Sequence, residues 1–184
     1  FDHVSRRPVL PLDFSSYECG KAIADDMHAR GKIVGANYTP VQSPSDLFLI
    51  QCLDLIGSET LWTWPTHAKL RLQRTLAWQK TVAMCWQEAK KDWGTERVER
   101  ELKQALFYGT FYYFGTMGES LYDRWIPLTR RLASAGWMPV TYAHCPALED
   151  RVERFGSHAQ QSLYLTLRND ADAPRTAALV LDAA

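Results

Sequence analysis

Short apolar runs alternate with helix-length stretches along most of this chain, and that alternation restricts the possible folds more than any other feature. After an irregular opening (FDHVSRRPVLPLDF), Ser15 and Glu18 have capping-box spacing and predict a helix to about Arg30, ended by Gly31. KIVGANY (32–38) reads as a short buried strand. SPSD (43–46) then caps a helix in LFLIQCLDLI, Gly57 closes it, and SETLWTW (58–64) reads as the next strand. Pro65 and Thr66 open a helix to about Ala77, and KTVAMCW (80–86) is a third strand. Thr95 caps ERVERELKQALF, in which Val98, Leu102, Ala105 and Leu106 recur at helical spacing. An aromatic piece bounded by glycines, YGTFYYFG (108–115), follows. A last helix fits between about Trp125 and Ser134, with Pro127 expected in its first turn.

Strand and helix alternating at this spacing imply right-handed βαβ units and a parallel sheet. From residue 137 the texture changes. WMPVTYAH, RVERFG, SLYLTLRND and TAALVLD are strand-like runs without helices between them, separated by turn chemistry such as NDADAP, and they predict antiparallel strands. The fold class expected is α/β: βα units over 1–136 and a small antiparallel β domain over 137–184. A closed barrel takes eight βα units and about 250 residues, whereas three clear units are legible here. Two readings follow, a small open α/β domain or the C-terminal part of a (β/α)8 (TIM-type) barrel running into the first strands of a β-sandwich. The start at Phe1 rather than Met and the terminal strands favour the second.

With 21 basic and 21 acidic residues, nothing argues for nucleic acid or an anionic membrane, since both need clustered cations. No apolar run approaches the roughly 20 residues of a membrane-spanning helix. Cys19, Cys52, Cys85 and Cys145 form no CxxC pair and the five histidines are scattered, so no metal site is expected. Cysteines read as reduced mildly favour a cytoplasmic protein. No phosphate-binding glycine loop or GxSxG elbow is present.

In parallel α/β structures ligands bind at the C-terminal ends of strands. Three predicted strands end in polar or aromatic groups: Asn37 and Tyr38; Glu59 with Trp62 and Trp64; and Trp86 with Gln87 and Glu88. Tyr112 and Tyr113 lie in the aromatic piece that follows. Indole and phenol rings stack on sugar C–H faces, and carboxylates bind hydroxyls. Hydrolysis of a glycosidic bond needs two carboxyl groups, one as acid and one as nucleophile or base. Each residue has a plainer reading: Asn37 as a turn former, the tryptophans as core, Glu59 as a solvated residue opening SETLWTW. A strand from about Leu53 to Ser58 would instead make Glu59 a strand-end group, and DLIGSE supports that register.

YECGKAIADDMHARGKIVGANY, a helix, and then LDLIGSE resemble a segment of (β/α)8 glycoside hydrolases, in which a helix precedes "GK.V.AN" and "D..G.E" follows. ALFYGTFYYF, RRLASAGWMPVTYAH, VERFG and LYLTLRNDADAP are similar to the closing part of such a barrel passing into a C-terminal β-sandwich. The resemblance implies that Asn37 lines a sugar site and that Glu59 is a candidate acid/base. The chain departs from the family in one respect: nothing before residue 32 looks like a strand ending in a second catalytic carboxylate. The expected protein is thus a glycoside hydrolase-like one acting on carbohydrate. Glu59 is its general acid/base, raised in pKa by neighbouring indoles, and Asn37, Tyr38, Trp62, Trp64, Trp86 and Tyr112 surround the substrate. No cofactor is expected, and the implied partner is the missing half of the barrel or a second copy. The alternatives are a non-catalytic carbohydrate-binding or scaffold protein with a degenerate barrel, and a lyase or aldolase using Lys80 as a Schiff-base amine.

Overall fold

The computed structural model describes residues 4–7, 12–38, 44–60, 67–86, 94–113, 119–149, 151–171 and 173–182. Helix α1 (Leu12–Ala29) leads into strand β1 (Gly35–Tyr38), followed by α2 (Pro44–Cys52), β2 (Leu55–Thr60), α3 (His67–Ala77), β3 (Thr81–Trp86), α4 (Thr95–Phe107), β4 (Phe111–Tyr113) and α5 (Glu119–Ala135). The four strands form one parallel sheet in the order β1-β2-β3-β4, so each crossover places a strand beside the previous one.

The helices that pack on the sheet, α2, α3 and α4 with α5 behind them, lie on one face. Along a strand alternate positions share a face, and Ala36, Ile56, Val82, Met84 and Tyr112 occupy the same one. Ile56 and Val82 are buried with Ile50 of α2 and Ala77 of α3, and Met84 and Tyr112 with Leu70 of α3 and Val98, Leu102 and Ala105 of α4. The opposite face carries Gly35, Asn37, Leu55, Gly57, Thr81, Ala83 and Phe111, each exposed or half-buried. No described element covers it.

From Trp137 the chain forms two small antiparallel sheets. Strand β5 (Trp137–Met138) pairs with β7 (Val152–Ser157), which pairs with β8 (Ser162–Leu167). Strand β6 (Ala143–His144) pairs with β9 (Val180–Leu181), and a 3₁₀ turn at Pro146–Leu148 joins β6 to β7. These strands share a core with the helices: Trp137 and Phe155 are buried with Leu132 of α5, against Leu106 of α4. The threonine hydroxyl of Thr166 in β8 donates to the carbonyl of Phe107 at the end of α4 (2.7 Å). The change of texture at 136–137 is therefore real as secondary structure, yet the two parts are packed into each other.

Several boundaries differ from those expected. Helix α1 starts at Leu12, so Ser15 and Glu18 are inside it rather than at its cap. Gly31 does end it, as the left-handed residue of a Schellman motif in which Lys32 N donates to Met27 O (2.9 Å) and Gly31 N to His28 O (2.9 Å). SETLWTW is not a strand as a unit: helix α2 stops at Cys52 and β2 runs Leu55–Thr60. The N-cap of α4 is Gly94, with Thr95 the first helical residue. FYY, which carried no strand expectation, is β4. Pro127 lies deep inside α5 rather than in its first turn. The helix continues through it because both halves are anchored, Leu121, Tyr122 and Trp125 against the α3/α4 cluster and Leu132 against Trp137 and Phe155.

Candidate functional site

Parallel pairing brings the C-terminal ends of the strands to one edge, in a fixed register. Asn37 pairs with Gly57, Tyr38 with Ser58 and Met84, and Glu59 with Cys85 and, through the sheet, Tyr113; Thr60 pairs with Trp86. Glu59 is thus the penultimate residue of β2, a strand-end position. By the two-residue pleat, positions 37, 57, 59 and 85 belong to the uncovered face, and positions 38, 58, 84, 86 and 112 to the helix-covered one. The residues read from the sequence as one pocket divide between two faces of the sheet.

Asn37 is exposed on the uncovered face and packs tightly against β2. A Cβ on Gly57 would lie 3.0 Å from Ala36 O and 3.2 Å from Asn37 Oδ1. Glycine at 57 is what allows the Asn37 amide to lie over β2. Tyr112, by contrast, is 4 % exposed and belongs to the core beneath α4. Ser58, in β2, is fully buried on the helix side, and its hydroxyl has no hydrogen-bond partner among the described residues. The side chains of Tyr38, Glu59 and Trp86 lie outside the described residues, as do Trp62 and Trp64 entirely.

At the other end of the strands the groups are structural. Asp54, just before β2, accepts from Val34 N (2.7 Å) and contacts His28 Nε2 (2.8 Å); the Val34 amide first, and then His28, hold its carboxyl below the usual range. The Lys80 ammonium donates to the carbonyls of Ile50 (3.0 Å) and Gln51 (2.7 Å), closing the C-terminus of α2. That occupies the amine which the aldolase reading would need, at the wrong end of its strand.

The strongest electrostatic feature was not legible as a site. Glu153 of β7 is fully buried between α3 and the antiparallel sheet. It accepts from Trp137 Nε1 (2.8 Å) and lies 3.1 Å from Arg71 Nε. Burial raises its pKa, opposed by the indole hydrogen bond and by Arg71 and Arg74. Arg74, itself 4 % exposed, is lowered to about 10 by burial, stacks over the Trp137 ring at 5.7 Å and donates to Lys80 O (3.3 Å). Nearby, His67 Nδ1 and the Tyr108 hydroxyl are 2.7 Å apart. Burial, then Arg151, Arg71 and Arg168, lower His67 to about 4, and burial pushes Tyr108 up to about 12. The signal in the sequence was the spacing of Arg71 and Arg74 on one helix face, but nothing in it paired that face with VERFG eighty residues on.

Among the described residues no three His, Cys, Asp or Glu side chains converge as a metal site would require, and no helix is long and apolar enough to cross a membrane. Comparison with protein-family models, curated proteins and solved structures finds no match to this chain.

Proposed function

We propose that this chain supplies the C-terminal βα units of a glycoside hydrolase-like (β/α)8 barrel and the first strands of an appended β domain, with Glu59 as general acid/base. The observation that carries the reading is the placing of Glu59 at the C-terminal end of β2, two residues after the Asn37–Gly57 contact, in a sheet on which α2, α3 and α4 pack from one side. In a βα barrel consecutive strands are neighbours, every helix lies outside, and ligands meet the C-terminal strand ends. The order β1-β2-β3-β4 and the one-sided cover agree with four successive units of such a barrel, and α1 stands where the helix of a preceding unit would be.

In the mechanism, protonated Glu59 gives its proton to the glycosidic oxygen as the C–O bond breaks, and later takes one from the attacking water. Asn37 orients a sugar hydroxyl. The partner carboxylate belongs to the opposite strands of the barrel, contributed by the rest of the barrel or by a second copy of the chain.

The test is Glu59→Gln in the intact protein, assayed on aryl glycosides. Turnover should fall by about 10²–10⁴-fold, with the circular dichroism spectrum unchanged. Wild-type turnover in that variant would remove Glu59 from the chemistry. A second reading, a carbohydrate-binding protein without turnover, is favoured by one observation: Glu59 is the single carboxylate among the described residues ending β1 to β4. It predicts quenching of tryptophan fluorescence by sugars with no release of the aryl group from any glycoside.

A further inference from the structure

On the helix side of the sheet, away from Asn37 and Glu59, a crevice of about 730 Å³ runs between α4 and the turn after β8. We propose that it binds a small ligand through an anionic group, a phosphate or sulfate ester or a carboxylate. Arg100 and Lys103, one helical turn apart on α4, line it together with Arg168 at the end of β8, while Asp170 is the one acidic residue among the described residues that line it. In a chain with equal numbers of acidic and basic residues this is a local concentration of positive charge. Arg100 is exposed and makes no ion pair or hydrogen bond with any described residue. Asp170 is already divided between two guanidinium groups, Arg168 in close contact and Arg151 at 3.6 Å, and Lys103 pairs with Glu99 at 3.4 Å, so the crevice cation left without a counter-charge among the described residues is Arg100.

Crowded cations repel one another, and an anion placed among them relieves that repulsion. Guanidinium forks meet carboxylate and phosphate oxygens two at a time. The wall opposite α4 is fixed before any ligand arrives: Ala171 N donates to Asn169 Oδ1 (3.1 Å) and Asn169 Nδ2 to Ala173 O (2.8 Å). Leu106, Phe107 and Leu167 add apolar surface for the body of the ligand.

The experiment is calorimetric titration of the chain with glucose 6-phosphate, glucuronate, inorganic phosphate, sulfate and glucose, on the wild type, Arg100→Glu and Lys32→Glu. Lys32 is exposed beyond α1 and remote from the crevice, so its reversal makes the same change in net charge elsewhere. The expected result is binding of at least one anion, none of glucose, a tenfold or greater loss in Arg100→Glu and less than twofold in Lys32→Glu. Tighter binding of glucose 6-phosphate or glucuronate than of the inorganic ions identifies a sugar acid as the source, and equal affinities identify the free anion. Absence of binding by every anion, glucose binding as well as its phosphate, or equal losses in the two variants overturns the proposal.

Discussion

The edge of the parallel sheet and the seam between α3 and β7 each pair a glutamate with tryptophan, and they do so in opposite ways. Glu59 precedes Trp62 and Trp64 in the chain and ends a strand on the side of the sheet that no described element covers. Glu153 has no tryptophan near it in sequence, yet it is fully buried against the Trp137 indole with Arg71 and Arg74 beside it. The environment expected for an acid catalyst, a carboxyl buried near an indole with its pKa raised, is found at the seam. There it fastens β7 to α3. The raised carboxyl pKa of Glu153 therefore marks burial at a structural seam.

Stability measurements separate the two glutamates most directly. Glu153→Ala leaves Arg74 buried without its counter-charge and should cost about 3–5 kcal/mol in urea unfolding. Glu59→Gln, at an edge position, should cost less than about 0.5 kcal/mol. Equal losses would mean that Glu59 is a structural carboxylate like Glu153. Next in size is Gly109→Ala. A Cβ there would lie 2.3 Å from Phe155 Cε1, at a φ of +61° that L-residues avoid. The left-handed backbone and the overpacking together should remove about 2–4 kcal/mol, read as a lowered Tm.

A smaller effect tests the electrostatics of the seam by pH. The folded state lowers His67 from 6.5 to about 4, so between those values the unfolded chain binds the extra proton. The contribution of His67 is complete above pH 6.5 and is lost as pH falls toward 4. Glu153, whose pKa is raised, acts in the opposite sense, losing stability as pH rises above its unfolded value. The two are separated by His67→Gln: the gap in stability between wild type and variant should be wider at pH 7 than at pH 4.5. A gap that does not change with pH would show that His67 titrates normally. The smallest effect belongs to α1, where Arg30 and Asp26 pair at 2.9 Å in full view of solvent. Asp26→Asn should shift stability by under about 0.5 kcal/mol, and a larger loss would place α1 closer to the seam in kind.

Much of the fold was legible because hydrophobic period and glycine punctuation are local. β3 and α3 fall within a residue or two of their expected bounds, and the antiparallel texture after 137 is present in all four runs. What was not legible depended on partners far along the chain. FYY became a strand because β3 offered it a parallel edge, with Ala83 opposite Phe111. Ser15 and Glu18 had capping spacing, but the helix had already begun at Leu12. Of the candidate site, the placing of Glu59 and Asn37 near the C-terminal ends of their strands followed from DLIGSE and KIVGAN. The division of the remaining residues between two faces did not, because it turns on the pairing register: Tyr112 is held opposite Met84, on the buried side.

The end of α4 has a consequence for hydrogen exchange. Gly109 N donates to Leu106 O (2.9 Å) and Thr110 N to Ala105 O (3.0 Å), which closes the helix in a Schellman motif. Phe155, fully buried, lies against Gly109, and Thr166 holds the Phe107 carbonyl. Helix ends ordinarily fray and exchange their amides early. Here the ring and the hydroxyl both come from the antiparallel strands, so the Gly109 and Thr110 amides open only when β7 and β8 leave α4. Their exchange rate times the undocking of one part of the molecule from the other.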